Sequence, residues 1–169
     1  MKKVLLSLLM VAGLGFAASA QTEGAVQKLS VGAEFGLPTE KGAKDFLYLG
    51  GSLQYEHPVA KDLNLTGSAG YLSLTYTGQG SFPSIGLIPV KAGAKYYFGG
   101  NFYGAAELGA VFGTETGSTT LFTVAPTLGA SFSVSEKSNL DFGLRYENLS
   151  GNGGSTGFVG LRAAWAFGL

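Results

Sequence analysis

From Lys28 to the C-terminus, apolar and polar residues alternate with a period of two, segment after segment, and no stretch keeps helical spacing for long. Eight such segments are separated by clusters of Gly, Ser, Thr, Asn, Asp and Pro. The first sets Leu29, Val31, Ala33 and Phe35 against Ser30, Gly32 and Glu34. The second sets Leu47, Leu49, Leu53 and Tyr55 against Tyr48, Ser52, Gln54 and Glu56. The fourth to eighth repeat the pattern, ending with Val159, Leu161, Ala163, Trp165, Phe167 and Leu169 opposed by Gly160, Arg162, Ala164 and Gly168. Strand parity sends successive side chains to opposite faces, so each segment predicts a strand with one apolar and one small or polar face.

The third segment, Leu63 to about Tyr76, breaks the rule. Leu63, Leu65, Ala69 and Tyr71 share one phase and Leu72, Leu74 and Tyr76 the other. Two explanations stay open: a bulge near Gly70, or a strand that runs past a membrane so that its upper end meets water on both faces. Pro89 and Pro126 also fall inside predicted strands, where each removes a ladder donor. His57–Asp62, Gly99–Asn101 and Ser135–Asn139 read as compact turns. Pro38–Asp45, Gly78–Ser84, Gly113–Thr120 and Ser150–Gly157 read as longer loops, so short and long connections alternate.

Charge placement decides what the two faces meet. Lys28, Glu34, Glu56, Lys91, Lys95, Glu107, Asp141, Arg145, Glu147 and Arg162 all fall on the face opposite the bulky apolar residues. A Lys or Arg at mid-bilayer on a lipid-facing barrel wall costs about 2–4 kcal/mol, so this asymmetry is what immersion in a membrane requires. Composition agrees: 13% of residues are charged, against about 25% in soluble domains. The 28 glycines suit the cramped interior of a narrow barrel. On the apolar face Tyr55, Tyr96, Phe98, Phe102, Phe132, Trp165 and Phe167 gather at the turn end as an aromatic girdle, with Phe35, Phe112, Phe122 and Tyr146 at the other end. The expected fold is all-β: an eight-stranded antiparallel up-and-down transmembrane β-barrel, with closure removing unpaired strand edges. The alternative is a soluble, secreted, lipocalin-like ligand carrier with the apolar residues turned inward.

The N-terminus carries an export signal: Lys2 and Lys3, the apolar run Val4–Phe16, and small residues at Ala18 and Ala20. Cleavage between Ala20 and Gln21 divides the chain into a signal peptide, residues 1–20, and a barrel domain, residues 21–169. The run is shorter than the roughly 20 residues of a spanning helix. The absence of cysteine excludes disulfides, thiolate metal sites and a lipidated Cys anchor. The near balance of acids and bases leaves no footprint for nucleic acid.

Catalysis is poorly supported. The single histidine, His57, sits beside Pro58 in an expected turn, and no GxSxG elbow is present. Asn64-Leu65-Thr66 and Asn148-Leu149-Ser150 match glycosylation sequons only formally. The Gly-rich run 151–157 precedes no helix and gives no phosphate cradle. No metal or cofactor is expected. The candidate site is instead a lumenal charge network of Glu34, Lys91, Lys95, Glu107, Arg145, Glu147 and Arg162, centred on Glu107, Lys91, Arg145 and Arg162. Its residues either pair with one another or line an ion path.

The stretches Ile88-Pro-Val-Lys-Ala-Gly-Ala-Lys-Tyr-Tyr-Phe98 and Asn101-Phe-Tyr-Gly-Ala-Ala-Glu-Leu-Gly109 resemble the strand-turn-strand centre of the small OmpA/OmpX-type, porin-family outer-membrane barrels. The terminal strand resembles that family's assembly signal through Leu161, Trp165 and Phe167, but ends in Leu169 where the family usually has an aromatic. The resemblance implies the outer membrane of a Gram-negative bacterium, periplasmic turns and extracellular loops. The implied partners are outer-membrane lipid and lipopolysaccharide, periplasmic chaperones and the barrel-assembly machinery. It implies a monomer with a structural or surface role, the alternative being a narrow channel for ions or very small solutes.

Overall fold

The computed structural model describes residues 26–79, 82–115 and 117–169. Eight strands follow in order: β1 (Lys28–Pro38), β2 (Phe46–Ala60), β3 (Leu63–Tyr76), β4 (Ile85–Tyr97), β5 (Phe102–Gly113), β6 (Leu121–Ser135), β7 (Ser138–Gly151) and β8 (Gly154–Gly168). Each pairs antiparallel with its sequence neighbours, and β1 pairs with β8 from Lys28↔Gly168 to Pro38↔Phe158, closing the barrel. Closure satisfies every strand edge within the sheet. Seven of the strands have 12 to 15 residues, more than the roughly 9–11 that cross a bilayer, so their ends project beyond an apolar band.

Parity holds around the whole wall. Within the eight strands every charged residue faces the lumen, while Val31, Phe35, Leu53, Leu108, Leu128, Phe142, Leu144 and Leu161 point outward and are exposed. The continuous apolar face is therefore turned outward, not inward as in a soluble ligand carrier. Small residues make the lumen possible. A Cβ added at Gly32 would lie 3.0 Å from Arg162 Cζ, and one at Gly143 would lie 3.0 Å from the Tyr103 hydroxyl, so both glycines make room for long polar side chains.

The phase change in β3 is not a bulge. Its ladder with β4 keeps one register from Leu63↔Tyr96 to Leu74↔Ile85, and alternation continues unbroken, so Leu72 and Leu74 point inward. They belong to an apolar plug at the loop end of the lumen. Tyr48, Leu72, Val111, Leu149 and Phe158 form its buried centre, with Leu74, Leu87 and Leu121 packed against it. Tyr48 and Phe158 stack with ring centroids 4.3 Å apart. The register does shift elsewhere, between Pro58 and Ala60 in β2 and between Ser133 and Ser135 in β6, both at the turn end.

The two strand prolines each interrupt one ladder and spare the other. Pro89 pairs with Val111 of β5, while the β3–β4 ladder skips Gly70 and Tyr71 opposite it. Pro126 pairs with Ala106 of β5, while the β6–β7 ladder skips Tyr146 and Glu147. A strand residue's N–H points to one neighbour only, so its loss is felt on one side.

Two expected connections differ. His57 lies within β2, paired with Leu65, and the turn is Lys61 and Asp62 alone. The last connection is not a long loop. β7 and β8 extend until only Asn152 and Gly153 join them, with Gly154 taking the positive φ of 127° that favours glycine.

Candidate functional site

The lumen between the plug and the turn end is filled by charge. Parity places one inward side chain every second residue on each strand, and the closed wall brings residues from distant strands together across a narrow interior. At the turn-end side, Lys95 of β4 lies 2.8 Å from Glu56 of β2 and 2.6 Å from Asp141 of β7. Its ammonium also sits 3.8 Å from the centre of the Tyr103 ring, whose hydroxyl donates to Asp141 Oδ1 at 2.8 Å. Asn64 Nδ2 and the Tyr97 hydroxyl donate to Glu56 Oε2 at 3.0 and 3.1 Å. Lys95 is 1% exposed, so these carboxylates and ring faces stand where its water would be.

The pairs continue upward as one chain. Arg162 lies 3.9 Å from Asp141 and 3.4 Å from Glu34, and also donates to the Ser30 and Ser52 hydroxyls. Glu34 meets Arg145 at 3.0 Å, Arg145 meets Glu147 at 2.9 Å, and Glu147 meets Lys91 at 2.9 Å, just below the plug. Thr123 adds a hydroxyl donor to Glu147. Four bases and four acids thus run in alternation from Glu56 to Lys91. Opposite charges enclosed together offset one another's desolvation only when geometry and hydrogen bonds are good, which the flanking Ser, Thr, Asn and Tyr donors supply.

Six of the seven residues expected in the network, Glu34, Lys91, Lys95, Arg145, Glu147 and Arg162, lie in this chain. Glu107 does not. Buried at 6% exposure, it accepts a hydrogen bond from Gln54 Nε2 at 3.1 Å and makes no ion pair among the described residues. The expected centre at Glu107 therefore shifts to Glu34, Arg162 and Asp141, with Glu56 and Asp141 as members that the seven omit. Register explains the shift. Glu107 lies across from Gly93, with Lys91 and Lys95 a full repeat away on either side, and both lysines reach past it to other strands.

On the outside, Tyr96, Phe98, Phe102, Phe132, Trp165 and Phe167 are exposed toward the turn end and Tyr55 is half-exposed. Cross-strand register groups them. Leu29 pairs with both Tyr55 and Phe167, and Leu140 with both Phe132 and Trp165. Phe35, Phe112, Phe122 and Tyr146 are exposed toward the loop end. Ala18, Ala20 and Gln21, the expected cleavage residues, lie outside the described residues. His57 is half-buried, 3.4 Å from the Tyr55 hydroxyl, and no group of three or more potential metal ligands occurs among the described residues.

At the loop end the first loop is tied to β8. Glu40 accepts from the Thr156 hydroxyl at 2.7 Å and from the Gly157 amide at 3.1 Å, and the Thr39 amide donates to the Gly157 carbonyl. These donors hold the exposed Glu40 carboxyl below its ordinary value of 4.5. A depressed folded pKa contributes stability that is present above 4.5 and lost as pH falls through the lowered value. Acidification through that window is therefore expected to free the first loop. Thr156→Ala should free it at neutral pH, read as faster hydrogen exchange at the Thr39 amide.

No protein-family model matches the chain, and no curated protein matches it. Solved structures do. Neisserial surface protein A superposes with a TM-score of 0.66 at 14% identity, over 87% of this chain and 100% of that one. Ail, the attachment invasion locus protein of Yersinia pestis, gives 0.56 at 19% identity, over 84% and 99%. A de novo designed transmembrane β-barrel gives 0.52 at 19%, over 88% and 100%. The chain thus has the fold of the small eight-stranded outer-membrane β-barrels.

Proposed function

We propose that the protein is exported through a signal peptide cleaved after Ala20 and inserts as a monomeric barrel in a Gram-negative outer membrane, with a structural or surface role and no catalysis or cofactor. The observation that carries this reading is the division of the wall, with apolar side chains outside and every charge that the strands carry inside. An apolar band of this kind is stable against acyl chains and costly against water. Its natural surroundings are outer-membrane lipid and lipopolysaccharide, reached through periplasmic chaperones and the barrel-assembly machinery.

A narrow ion channel is the second reading, favoured by a cavity of about 470 Å³ that enters the lumen from the turn end. Against it stand the continuous ion-pair chain and the plug behind it. The voids beside Glu107 hold only about 20 Å³ each, room for a single water. Planar-bilayer recording separates the readings. No unitary conductance above the lipid baseline is expected, and reproducible openings would make the protein a channel.

A further inference from the structure

The eight paired charges of the lumen are neutral as a group, which leaves two lumenal charges over: Glu107, enclosed, and Lys28, at the turn end. Lys28 opens β1 and is half-buried, with its ammonium 5.3 Å from the centre of the Tyr97 ring. It makes no ion pair among the described residues. It lines the cavity of about 470 Å³ bounded by the three short turns, a size within the roughly 300–1,000 Å³ of small-molecule sites.

The rest of that wall adds little net charge of its own. Asn64 and Tyr97 form part of its lining, and their donors are committed to Glu56, whose carboxylate is already held by Lys95. The charges on the turns come as adjacent opposites, Lys61 with Asp62 and Glu136 with Lys137, all exposed, so they add little net field. Across the barrel, Ser131 of β6 lines the same cavity at 5% exposure, and its hydroxyl is buried without a hydrogen-bond partner. A buried hydroxyl left unpaired is costly, and an oxyanion in the cup is an acceptor for it.

We propose that the turn-end cup is a binding site for a small anionic solute, one carrying a phosphate or carboxylate group, held by the Lys28 ammonium and the Ser131 hydroxyl. The site belongs to the closed barrel itself and does not depend on where the barrel resides. Charge-assisted contacts of this kind are short and roughly twice as strong as neutral ones, so Lys28 carries the larger share.

Calorimetric titration of the folded protein in zwitterionic detergent with inorganic pyrophosphate, and separately with citrate, tests this. One saturable site for either anion is expected. Affinity should fall about tenfold or more in Lys28→Gln, severalfold in Ser131→Ala, and not at all in Lys41→Gln at the loop end. Pyrophosphate binding alone assigns the phosphate group, citrate alone the carboxylate, and both the charge they share. Amide shift changes in the unsubstituted protein should centre on Lys28, Tyr97 and Ser131, a readout that holds even if a variant fails to fold. Absence of saturable binding for both anions, equal affinity in a folded Lys28→Gln, or shifts confined to the loop end would each overturn the site.

Discussion

Lys95→Met is expected to destabilise the barrel by about 3–5 kcal/mol, the cost of leaving a buried charge without its partner. Lys95 alone joins Glu56 to Asp141, and its ring contact with Tyr103 is lost as well. Methionine keeps the volume and removes the charge, so two carboxylates are left facing each other in a lumen with little room for water. Neutralising them should recover most of the loss, because a buried ion cluster is often no more stable than an uncharged one of similar shape. The triple variant Lys95→Met, Glu56→Gln, Asp141→Asn is therefore expected near wild type. Urea unfolding in lipid vesicles measures both. An unchanged midpoint for Lys95→Met alone would mean that the cluster holds nothing together.

Leu144→Arg carries the second large effect, about 2–4 kcal/mol of destabilisation in lipid. Leu144 is 51% exposed midway along β7, and its cross-strand partners Leu128 and Leu161 are exposed too. On a wet surface such a residue is free to change, and substitutions there stay within about 0.5 kcal/mol. The same substitution thus has opposite expected outcomes in the two environments. A large loss in vesicles places the band against acyl chains, and a negligible one makes it a water-facing surface.

How far the residues alone foretell this molecule follows from what parity can and cannot encode. A period of two assigns each side chain to a face, and in a closed barrel a face is either wall or lumen. The outward positions of Phe35, Leu108 and Trp165 and the inward positions of Glu34, Lys91 and Arg162 are legible on that basis. Parity does not encode height along the axis or which strands meet across the lumen. Strand stagger sets those, so Glu107 looks central in a list of charges yet bonds Gln54 and stays outside the chain of pairs. Leu72 and Leu74 look like a phase error for the same reason. Apolar residues on the inner face make sense only once Tyr48, Val111, Leu149 and Phe158 arrive at the same level. The tight β7–β8 hairpin was readable, since Asn152-Gly153 between alternating segments is a strong two-residue turn signal. The glycines around it give a long loop and a hairpin the same composition.

Trp165 allows the most direct test that the wall faces lipid. It is the only tryptophan in the chain and lies on the outer face, 43% exposed, within the turn-end aromatic belt. Its fluorescence in vesicles should be quenched by lipids brominated near the headgroup end of the acyl chain, less by those brominated at the chain end, and little by aqueous iodide. Free quenching by iodide with no effect of any bromolipid would contradict a membrane-facing wall.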